Sequence, residues 1–300
     1  MKSNSNLLKI GIIMIGIVLT ICIFFIYYFH LDEPVFLKHY YDISVSDSGG
    51  SWQAEPIAIR YITNITDNRK LVGIFFKEAP DLEFYISQDY PSSNTFQFIN
   101  QGGILSVGEK IGRYSIRTVY ANIHGNNNVN IDMESLENLQ LSQAVIQFSD
   151  GNTVEVEIGK IVLYKMDQSE NYLRSMVSSS SNDGSTSTTY SVKKDIILEQ
   201  VTSTLMKEAG VAFHLSIGKQ DFSEVKDITY NKETKLCIFG QTDNFEDVVS
   251  QFTIFDIKPL LIYRDVEGHQ YSQRIYDLRD NQSSHSFLDV VKYLKARGKL

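Results

Sequence analysis

IQFSDGNTVEVEI, residues 146–158, is the segment that most directly decides the fold of this 300-residue chain. Its Asp150-Gly151 pair favours a type I′ turn, because both central residues of that turn need positive φ and its twist matches that of paired strands. After the turn, two valines and Ile158 alternate with two glutamates. Side chains of a strand point alternately to opposite faces, so the pattern predicts a β-hairpin with one buried face and one solvated face.

Similar segments lie on both sides of this hairpin. Short or alternating apolar runs predict strands at 57–62, 71–76, 82–86, 95–99, 114–123, 143–148 and 153–164. Seven strands at this spacing are typical of a β-sandwich. We therefore predict a first Ig-like β-sandwich domain over residues 46–165, which begins at the flexible Ser/Gly-rich run 46–51.

A second β-rich region is predicted to form a β-sandwich domain over residues 191–282. Its expected strands lie at 192–201, 211–217, 235–239, 252–257, 260–264 and 271–276. Residues 195–208 also fit a helix with three apolar residues on one face. We favour the strand, because the Thr-Ser-Thr run at 202–204 is a weak helix former.

Residues 166–190 separate the two regions. The stretch 178–189 has no apolar side chain, and such a segment cannot bury enough surface to offset its ordering entropy, so we predict a Ser-rich linker or loop. Each region follows a Ser-rich run and contains a hairpin turn, at Gly151 and at Gly268, 117 residues apart. A duplicated Ig-like unit and a coincidence of hairpins both explain this spacing.

Residues 283–300 are predicted to form a C-terminal helix. Ser286 and Asp289 have the spacing of a capping box, and apolar residues recur at helical spacing on one face. We expect this helix to dock on the second sandwich. Basic side chains near its end either complement the negative end of the helix dipole or contact anionic headgroups or an anionic polymer. They are Lys292, Lys295, Arg297 and Lys299.

The N-terminal segment 10–29 (IGIIMIGIVLTICIFFIYYF) has twenty residues without a charge. At about 1.5 Å per residue, a helix of this length covers roughly 30 Å, the thickness of a bilayer's hydrocarbon core. The small residues that signal peptidase needs are absent from residues 23–43, and Ile21 precedes Cys22 where a lipoprotein signal has a small residue. The pattern predicts a retained, single-pass transmembrane signal-anchor helix.

Flanking charges predict the orientation of this helix. Lys2 and Lys9 lie in the tail 1–9, whereas Lys38 is the single Lys or Arg in the first twenty residues after the helix. The positive-inside rule then places the tail in the cytoplasm and the C-terminal domains outside the cell membrane. Residues 30–45 are predicted to form a stalk.

The chain after the helix is acidic, with 26 basic and 36 acidic residues and a net charge of −10. Nucleic-acid binding depends on Lys and Arg that neutralise phosphates, so this composition argues against a nucleic-acid partner. The two cysteines are not expected to pair, because Cys22 lies in the membrane segment and Cys237 in a strand, where we expect it to be buried. A disulfide-free exterior with a minimal cytoplasmic tail suggests a Gram-positive bacterial surface.

We assign no catalytic, cofactor-binding or metal-binding residue, and we expect no cofactor. No two histidines lie within five residues of each other, which excludes a local zinc pair. They are His30, His39, His124, His214, His269 and His285. Four oxygen-bearing residues alternate as in a calcium loop, but Met133 occupies the position that requires Gly. These four are Asn128, Asn130, Asp132 and Glu134.

Other short motifs are incomplete. Gly103 and Gly108 have the spacing of a phosphate-binding loop, but Glu109 stands where Lys is needed. Two Ser-x-x-Lys matches lack the companion motifs of penicillin-binding enzymes. They start at Ser191 and Ser216. Sequons occur at Asn64 and Asn281, and we assign them no role.

These observations favour a non-enzymatic, membrane-anchored extracytoplasmic β-sandwich protein with an interaction or scaffold role at the cell envelope. Its expected partners are the lipid bilayer, through residues 10–29, and a membrane protein or the cell wall. Two alternatives remain open. One is a ligand-sensing or accessory subunit of a membrane complex, and the other is an envelope hydrolase whose site is gathered from distant loops.

Overall fold

A computed structural model describes residues 2–48, 51–87, 108–123, 136–165, 172–181, 184–209, 213–242, 245, 247–275, 278–279 and 285–300. Its helices are α1 (Lys2–Tyr28), α2 (Thr204–Ala209), α3 (Val248–Gln251) and α4 (Phe287–Ala296), with a 3₁₀ turn at Phe222–Glu224. Between α1 and α4 the chain is mainly β. The predicted fold class, an N-terminal apolar helix followed by β-sandwiches and a short C-terminal helix, is confirmed.

The first ten strands build most of the first sandwich. They are β1 (Val35–Phe36), β2 (His39–Ser48), β3 (Ser51–Ala54), β4 (Ile57–Asn64), β5 (Leu71–Phe76), β6 (Phe84–Ser87), β7 (Glu109–Ile111), β8 (Tyr114–Ile123), β9 (Gln140–Phe148) and β10 (Thr153–Lys165). One sheet has the order β1-β4-β8-β6, and the facing sheet contains β2-β10-β9-β5. This is the A-B-E-D and G-F-C strand order of immunoglobulin-like sandwiches, with β2 added parallel to the last strand.

The remaining strands build a second sandwich and extend the first. They are β11 (Leu173–Ser180), β12 (Ser185–Val192), β13 (Ile196–Thr202), β14 (Phe213–Ile217), β15 (Gln220–Asp221), β16 (Ile228–Tyr230), β17 (Lys235–Thr242), β18 (Ile254–Ile257), β19 (Leu260–Asp265), β20 (Gln270–Arg274) and β21 (Leu278–Arg279). Two sheets, ordered β11-β12-β17-β14-β15 and β16-β13-β19-β20, enclose a second hydrophobic core.

Strand β18 crosses back to the first sandwich. Sequence predicts it for the second region, but it pairs in parallel with β2, with Ile254 opposite His39. Therefore β2 lies between β10 and β18 in the interior of a sheet, and Phe255 on β18 packs into the second core. The two sandwiches share this sheet.

The predicted stalk at 30–45 is wrong, because the segment contains β1 and most of β2. Its apolar side chains fill the first core, where they are almost fully buried. They are Leu31, Val35, Phe36, Leu37, Tyr41, Ile43 and Val45. Sandwich formation thus begins immediately after α1.

The predicted linker at 166–190 is also wrong over its described part, which forms the hairpin β11–β12. Thr186 and Thr188 point into the second core and are buried. Hydroxyl groups join the two strands, with Ser178 Oγ 2.9 Å from Thr188 Oγ1 and Ser179 Oγ 2.8 Å from the Ser187 hydroxyl. Threonine suits a half-buried strand, so pairing to β17 orders a segment that has few apolar residues.

The hairpin loops differ from the predicted type I′ turn. Gly151 has φ of +86°, whereas Asp150 is not among the described non-glycine residues with positive φ. Gly151 N–H donates to Phe148 O at 3.0 Å, so Ser149 and Asp150 are the central residues and Gly151 follows them. The same three-residue loop recurs at Gly268, whose N–H donates to Asp265 O at 3.2 Å. Because this loop type occurs in more than one hairpin of the chain, the 117-residue spacing is better explained by a coincidence of hairpins than by a duplicated domain.

Both alternatives for residues 195–208 hold in part. Strand β13 covers the beginning, and α2 covers the end. The Ser203 hydroxyl accepts the N–H groups of Leu205 and Met206, each at 3.2 Å, as an N-terminal cap. Ser203, which belongs to the run 202–204 that disfavours a helix, therefore lies between the end of the strand and the start of the helix. The predicted strand at 95–99 lies outside the described residues.

Helix α4 forms as predicted, with the capping box between Ser286 and Asp289. Gly298, whose φ is +65°, follows the end of the helix in a motif where Lys299 N–H donates to Leu294 O at 2.9 Å. Its buried face joins the first core, so the predicted docking on the second sandwich is wrong. The reason is that α3 and β18 return the chain to the first sandwich, where Phe252 stacks on Tyr293 at 4.5 Å.

Candidate functional site

Residues 8–28 of α1 form a candidate membrane anchor. This 21-residue segment is long and apolar enough to cross a membrane, and it is the single such helix in the described part of the chain. None of its most apolar window is buried against the rest of the protein. Its exposed side chains are consistent with a helix that a bilayer surrounds.

The end of α1 is bonded directly to the first sandwich. Tyr114 Oη donates to Phe29 O at 2.9 Å, and the Arg113 guanidinium donates to Phe25 O at 2.8 Å. The Asn64 side chain bonds both backbone groups of Leu31, accepting from N at 3.1 Å and donating to O at 2.6 Å. Asn64, which the sequence offered as a sequon, is therefore a buried structural residue. Asn281 lies outside the described residues.

The described histidines do not converge on one site. His30 lies beside the end of α1, His214 on β14, His269 in the β19–β20 hairpin, and His285 stacks on the Phe252 ring at 3.9 Å. His39 is buried on β2, and His124 lies outside the described residues, as do the four residues of the calcium-like pattern.

His39 is held in one neutral state. Its Nε2 accepts the backbone N–H of Arg60 at 3.0 Å, and its Nδ1 lies 3.4 Å from Ile158 O, to which it donates. Burial lowers the pKa of His39 from its ordinary 6.5 to about 3. The ring is thus a satisfied core group that links β2, β4 and β10.

We expect acid to destabilise the fold through His39. Below pH 6.5 the unfolded chain binds a proton that folded His39 refuses until about pH 3, so stability falls as the pH decreases through this window. At pH 4.5 the loss is roughly 3 kcal/mol. Urea unfolding of the full chain in detergent at pH 7.5 and 4.5 measures it, with His39→Gln as the comparison. Equal losses in both proteins would contradict the assignment.

The remaining sequence motifs are not assembled into sites. Lys194 Nζ donates to the Tyr172 hydroxyl at 3.2 Å, and Ser191 lies on β12 opposite Arg174 of the edge strand. Ser216 pairs with Asp221 across the β14–β15 hairpin. Gly108 directly precedes β7 in a strand context, which does not match the strand-to-helix setting of a phosphate loop.

One cluster among the described residues has metal-ligand chemistry, and it lies in the exposed β19–β20 hairpin. His269 Nδ1 is 3.2 Å from Asp265 Oδ2 and 3.5 Å from Glu267 Oε2. The other oxygen of Asp265 accepts the backbone N–H groups of Glu267 and His269, each at 2.9 Å. Asp265 therefore shapes the turn, and this local role accounts for the cluster.

A buried charged cluster joins the two sandwiches. Asp42 accepts the backbone N–H of Lys258 at 2.8 Å and lies 3.8 Å from Arg274 Nη1. Lys258 Nζ pairs with Glu55, and the Arg274 guanidinium lies 4.4 Å from the Tyr164 ring centre. Burial raises the pKa of Asp42, although Arg274 and Lys258 oppose this effect. The charges are paired internally, which indicates a structural role.

Strand β11 forms an exposed edge of the second sandwich. It pairs with β12 on one side, and no described strand pairs with its other side. Residues 174–180 are all exposed, including Met176 and Val177, which are 53% and 63% exposed. A strand with one unpaired backbone edge is a template for another strand.

The sheet surface beside this edge mixes hydroxyl and apolar side chains. Val177, Thr189 and Cys237 lie opposite one another across β11, β12 and β17. Cys237 is exposed, so the expectation that it is buried is wrong. Its neighbours Leu236 and Ile238 point into the core instead, because successive side chains alternate between faces.

Comparison with known proteins does not identify the chain. No protein-family model matches it, and no curated protein matches it. Among solved structures, the D00-D0 domain of intimin aligns with 83% of this chain and 100% of its own length, at 10% identity and a TM-score of 0.24. The PcdhgB3 EC1-4 fragment aligns with 81% of this chain and 48% of its own, at 12% identity and a TM-score of 0.20. TM-scores this low do not establish a shared structure, so the sandwich assignment rests on the strand order and the two hydrophobic cores.

Proposed function

We propose that this chain is a non-enzymatic, single-pass protein of a bacterial cell envelope that binds another protein by strand addition at β11. Its N-terminal tail lies in the cytoplasm, and both sandwiches lie outside the cell membrane. The observation that carries the proposal is the exposed edge of β11, with which no strand among the described residues pairs. The occupant is an extended segment of a partner protein, because only a strand satisfies a row of backbone donors and acceptors.

Edge length favours β11 over the other sheet edges. β11 has eight residues, whereas β5 has six, β20 has five and β6 has four. Strand β3, which among the described strands pairs only with β2, also has four, and the remaining terminal strands have two or three residues. Proteins commonly protect such edges with Lys, Pro or very short strands. Residues 175–180 of β11 contain neither Lys nor Pro.

Hairpin geometry identifies the backbone groups that an added strand would use. Ser181 N–H donates inward to Ser185 O at 2.9 Å. Antiparallel pairs alternate, so Ser179 N–H also points toward β12, whereas Ser178 and Ser180 N–H point away from it. These two outward N–H groups would bond the partner strand.

The proposal that the protein is not an enzyme is supported by the structural roles of its described titratable groups. His39 and the Asp42 cluster hold strands together, and Asp265 shapes a turn. An interaction surface, by contrast, needs a rigid scaffold and an open edge. The chain provides both in the second sandwich.

We expect Ser178→Pro to abolish partner binding while the fold is retained. Proline removes the outward N–H and is tolerated on edge strands. Ser178→Ala is the matched control, because it keeps the N–H and loses only the hydroxyl. The measurement is photo-crosslinking from p-benzoylphenylalanine at position 177 of the full chain in native membranes. Amide exchange of residues 178 and 180 in the purified complex then reports backbone pairing.

The expected pattern is one adduct in wild type and Ser178→Ala, its loss in Ser178→Pro, and slower exchange at residues 178 and 180 in the complex. An adduct that survives Ser178→Pro, or amides that exchange at the same rate in the complex, would overturn strand addition. An integral membrane protein in the adduct would favour the accessory-subunit role, and a soluble or wall-attached protein would favour the scaffold role.

A further inference from the structure

Basic side chains gather where the first sandwich meets α1. Arg113, in the β7–β8 turn, bonds Phe25 O at 2.8 Å, and its guanidinium lies 5.9 Å from the Phe25 ring centre. Lys295 of α4 places its Nζ 5.6 Å from the ring centre of Tyr28. Two separate elements of the sandwich therefore hold a cation against the last turn of α1. We call Arg113 and Lys295, with Arg297 and Lys299 at the end of α4, the cationic rim.

The anchor fixes the depth of this rim relative to a bilayer. The apolar segment Leu8–Tyr28 has 21 residues. At about 1.5 Å per residue its length matches the hydrocarbon thickness of roughly 30 Å, so Tyr28 lies at the edge of the hydrocarbon region. Because Arg113 and Lys295 contact the last turn, they lie at the level of the headgroup phosphates. Long basic side chains at helix ends reach this level readily.

A groove runs from the rim along α1. It is shallow and open, and it is lined by Ile21, Cys22, Phe25, Ile26 and Arg113. The apolar side chains of the groove would contact an acyl chain of a phospholipid, and the Arg113 guanidinium would bind its phosphate. Guanidinium groups bind phosphate oxygens through paired N–H donors, and Arg113 retains further N–H groups beyond the one bonded to Phe25.

The sign of the rim differs from that of the chain outside the anchor, which has a net charge of −10. Asp289 is the acidic residue of α4, and it is engaged at the helix start with Ser286 and lies 3.9 Å from Lys292. Lys295, Arg297 and Lys299 follow without another acidic residue. Positive charge is therefore concentrated at the end of α4 that contacts α1.

We infer that the cationic rim binds anionic phospholipids of the leaflet in which α1 ends, with Arg113 and Lys295 on the headgroup phosphates and one acyl chain in the groove. This inference rests on the proposed membrane anchoring, and it adds a lipid preference that the anchor alone does not require. Lipid binding at the rim would fix the position of the first sandwich relative to the membrane. Strand β11 of the second sandwich would then remain available for a partner.

Spin-labelled lipids test the inference. The full chain is reconstituted in phosphatidylcholine vesicles containing spin-labelled phosphatidylglycerol or spin-labelled phosphatidylcholine, and electron paramagnetic resonance measures the protein-bound fraction of each. Near an anionic surface each basic side chain contributes a factor of about fivefold. We expect wild type to prefer phosphatidylglycerol by at least about fivefold. Arg113→Gln/Lys295→Gln should lower the ratio at least severalfold, although Arg297 and Lys299 remain, and Arg113→Lys should retain most of the preference because it keeps the charge.

Lys219→Gln/Lys235→Gln is the matched control, because it removes two exposed charges from the second sandwich. This control should keep the wild-type ratio. An unchanged ratio in Arg113→Gln/Lys295→Gln, or no preference in wild type, overturns the inference. Lys295→Gln alone should lower the ratio severalfold, and it keeps the test decisive if the Arg113 variant unfolds.

Labelling of Cys237 separates this failure from failure of the proposed anchoring. Cys237 is exposed on the second sandwich, whereas Cys22 lies within α1. In intact cells a membrane-impermeant maleimide should label wild type and leave Cys237→Ser unlabelled. Labelling only after lysis, or loss of the chain from membranes in alkaline carbonate, refutes the anchoring itself. Correct labelling without lipid preference refutes the lipid inference alone.

Discussion

Gly159→Ala is expected to destabilise the protein by roughly 4 kcal/mol, which approaches the whole stability of many domains. Gly159 has φ of +99°, and a Cβ built there would lie 2.7 Å from the backbone N of His39 and closer still to its carbonyl oxygen. Backbone atoms cannot move aside as a flexible side chain can. The substitution must therefore push β2 away from β10 at the start of their parallel pairing, where Gly159 lies opposite His39.

Gly151→Ala is the matched control for this effect. Gly151 also has positive φ, +86°, but a Cβ there meets nothing within 4 Å. Its expected cost is the conformational term alone, about 1–2 kcal/mol. Urea unfolding of the full chain in detergent measures both variants, and amide exchange along β2 and β18 should increase only in Gly159→Ala. Equal destabilisation by the two substitutions would show that the backbone contact with His39 is unimportant.

Asp42→Ala is expected to cost about 3–5 kcal/mol, because it leaves the charge of Arg274 without its buried partner and the backbone N–H of Lys258 without its acceptor. Asp42 is 1% exposed and accepts the Lys258 backbone N–H at 2.8 Å. Asp42→Asn keeps an acceptor at this position and removes a charge that burial already disfavours. Its expected cost is about 1–2 kcal/mol.

Calorimetry of the full chain distinguishes the two variants. Since Asp42 lies on β2 and its partners lie next to β18 and on β20, the alanine variant should also separate the unfolding of the two cores into two transitions. Asp42→Ala/Arg274→Met should recover part of the loss by removing an unpaired cation. A single transition with equal losses in the Ala and Asn variants would contradict the proposed role of this cluster.

Local patterns in the sequence predict the elements whose residues alternate by burial. Strands 71–76 and 114–123 have the predicted bounds, and the capping box of α4 forms at the predicted residues. These signals are local, because alternation and capping depend on neighbours within a few positions. The same reasoning fails at 30–45 and in the described part of 166–190. There the residues resemble a connection, but they become ordered by pairing with strands that are distant in sequence.

Among the features that bear on function, some are visible in the sequence and others only in the structure. Sequence alone identifies the apolar helix that is the candidate membrane anchor and the absence of local catalytic motifs. It misses the neutral state of His39, the exposure of Cys237, the use of Asn64 to hold Leu31, and the open edge of β11. The only sequence signal for that edge is the Ser/Thr-rich run without Lys, which also fits a linker.

By itself, the amino-acid sequence determined that the chain has an apolar helix of membrane-crossing length, strands with one buried face, and a capped C-terminal helix. Each of these follows from hydrophobic periodicity and local hydrogen bonding. Tertiary structure alone decided that β18 and α4 return to the first sandwich, that β2 lies in a sheet interior, and that Arg113 and Lys295 meet at the end of α1. The physical reason is that strand partners and core contacts are chosen by pairing between distant segments, which no local pattern encodes.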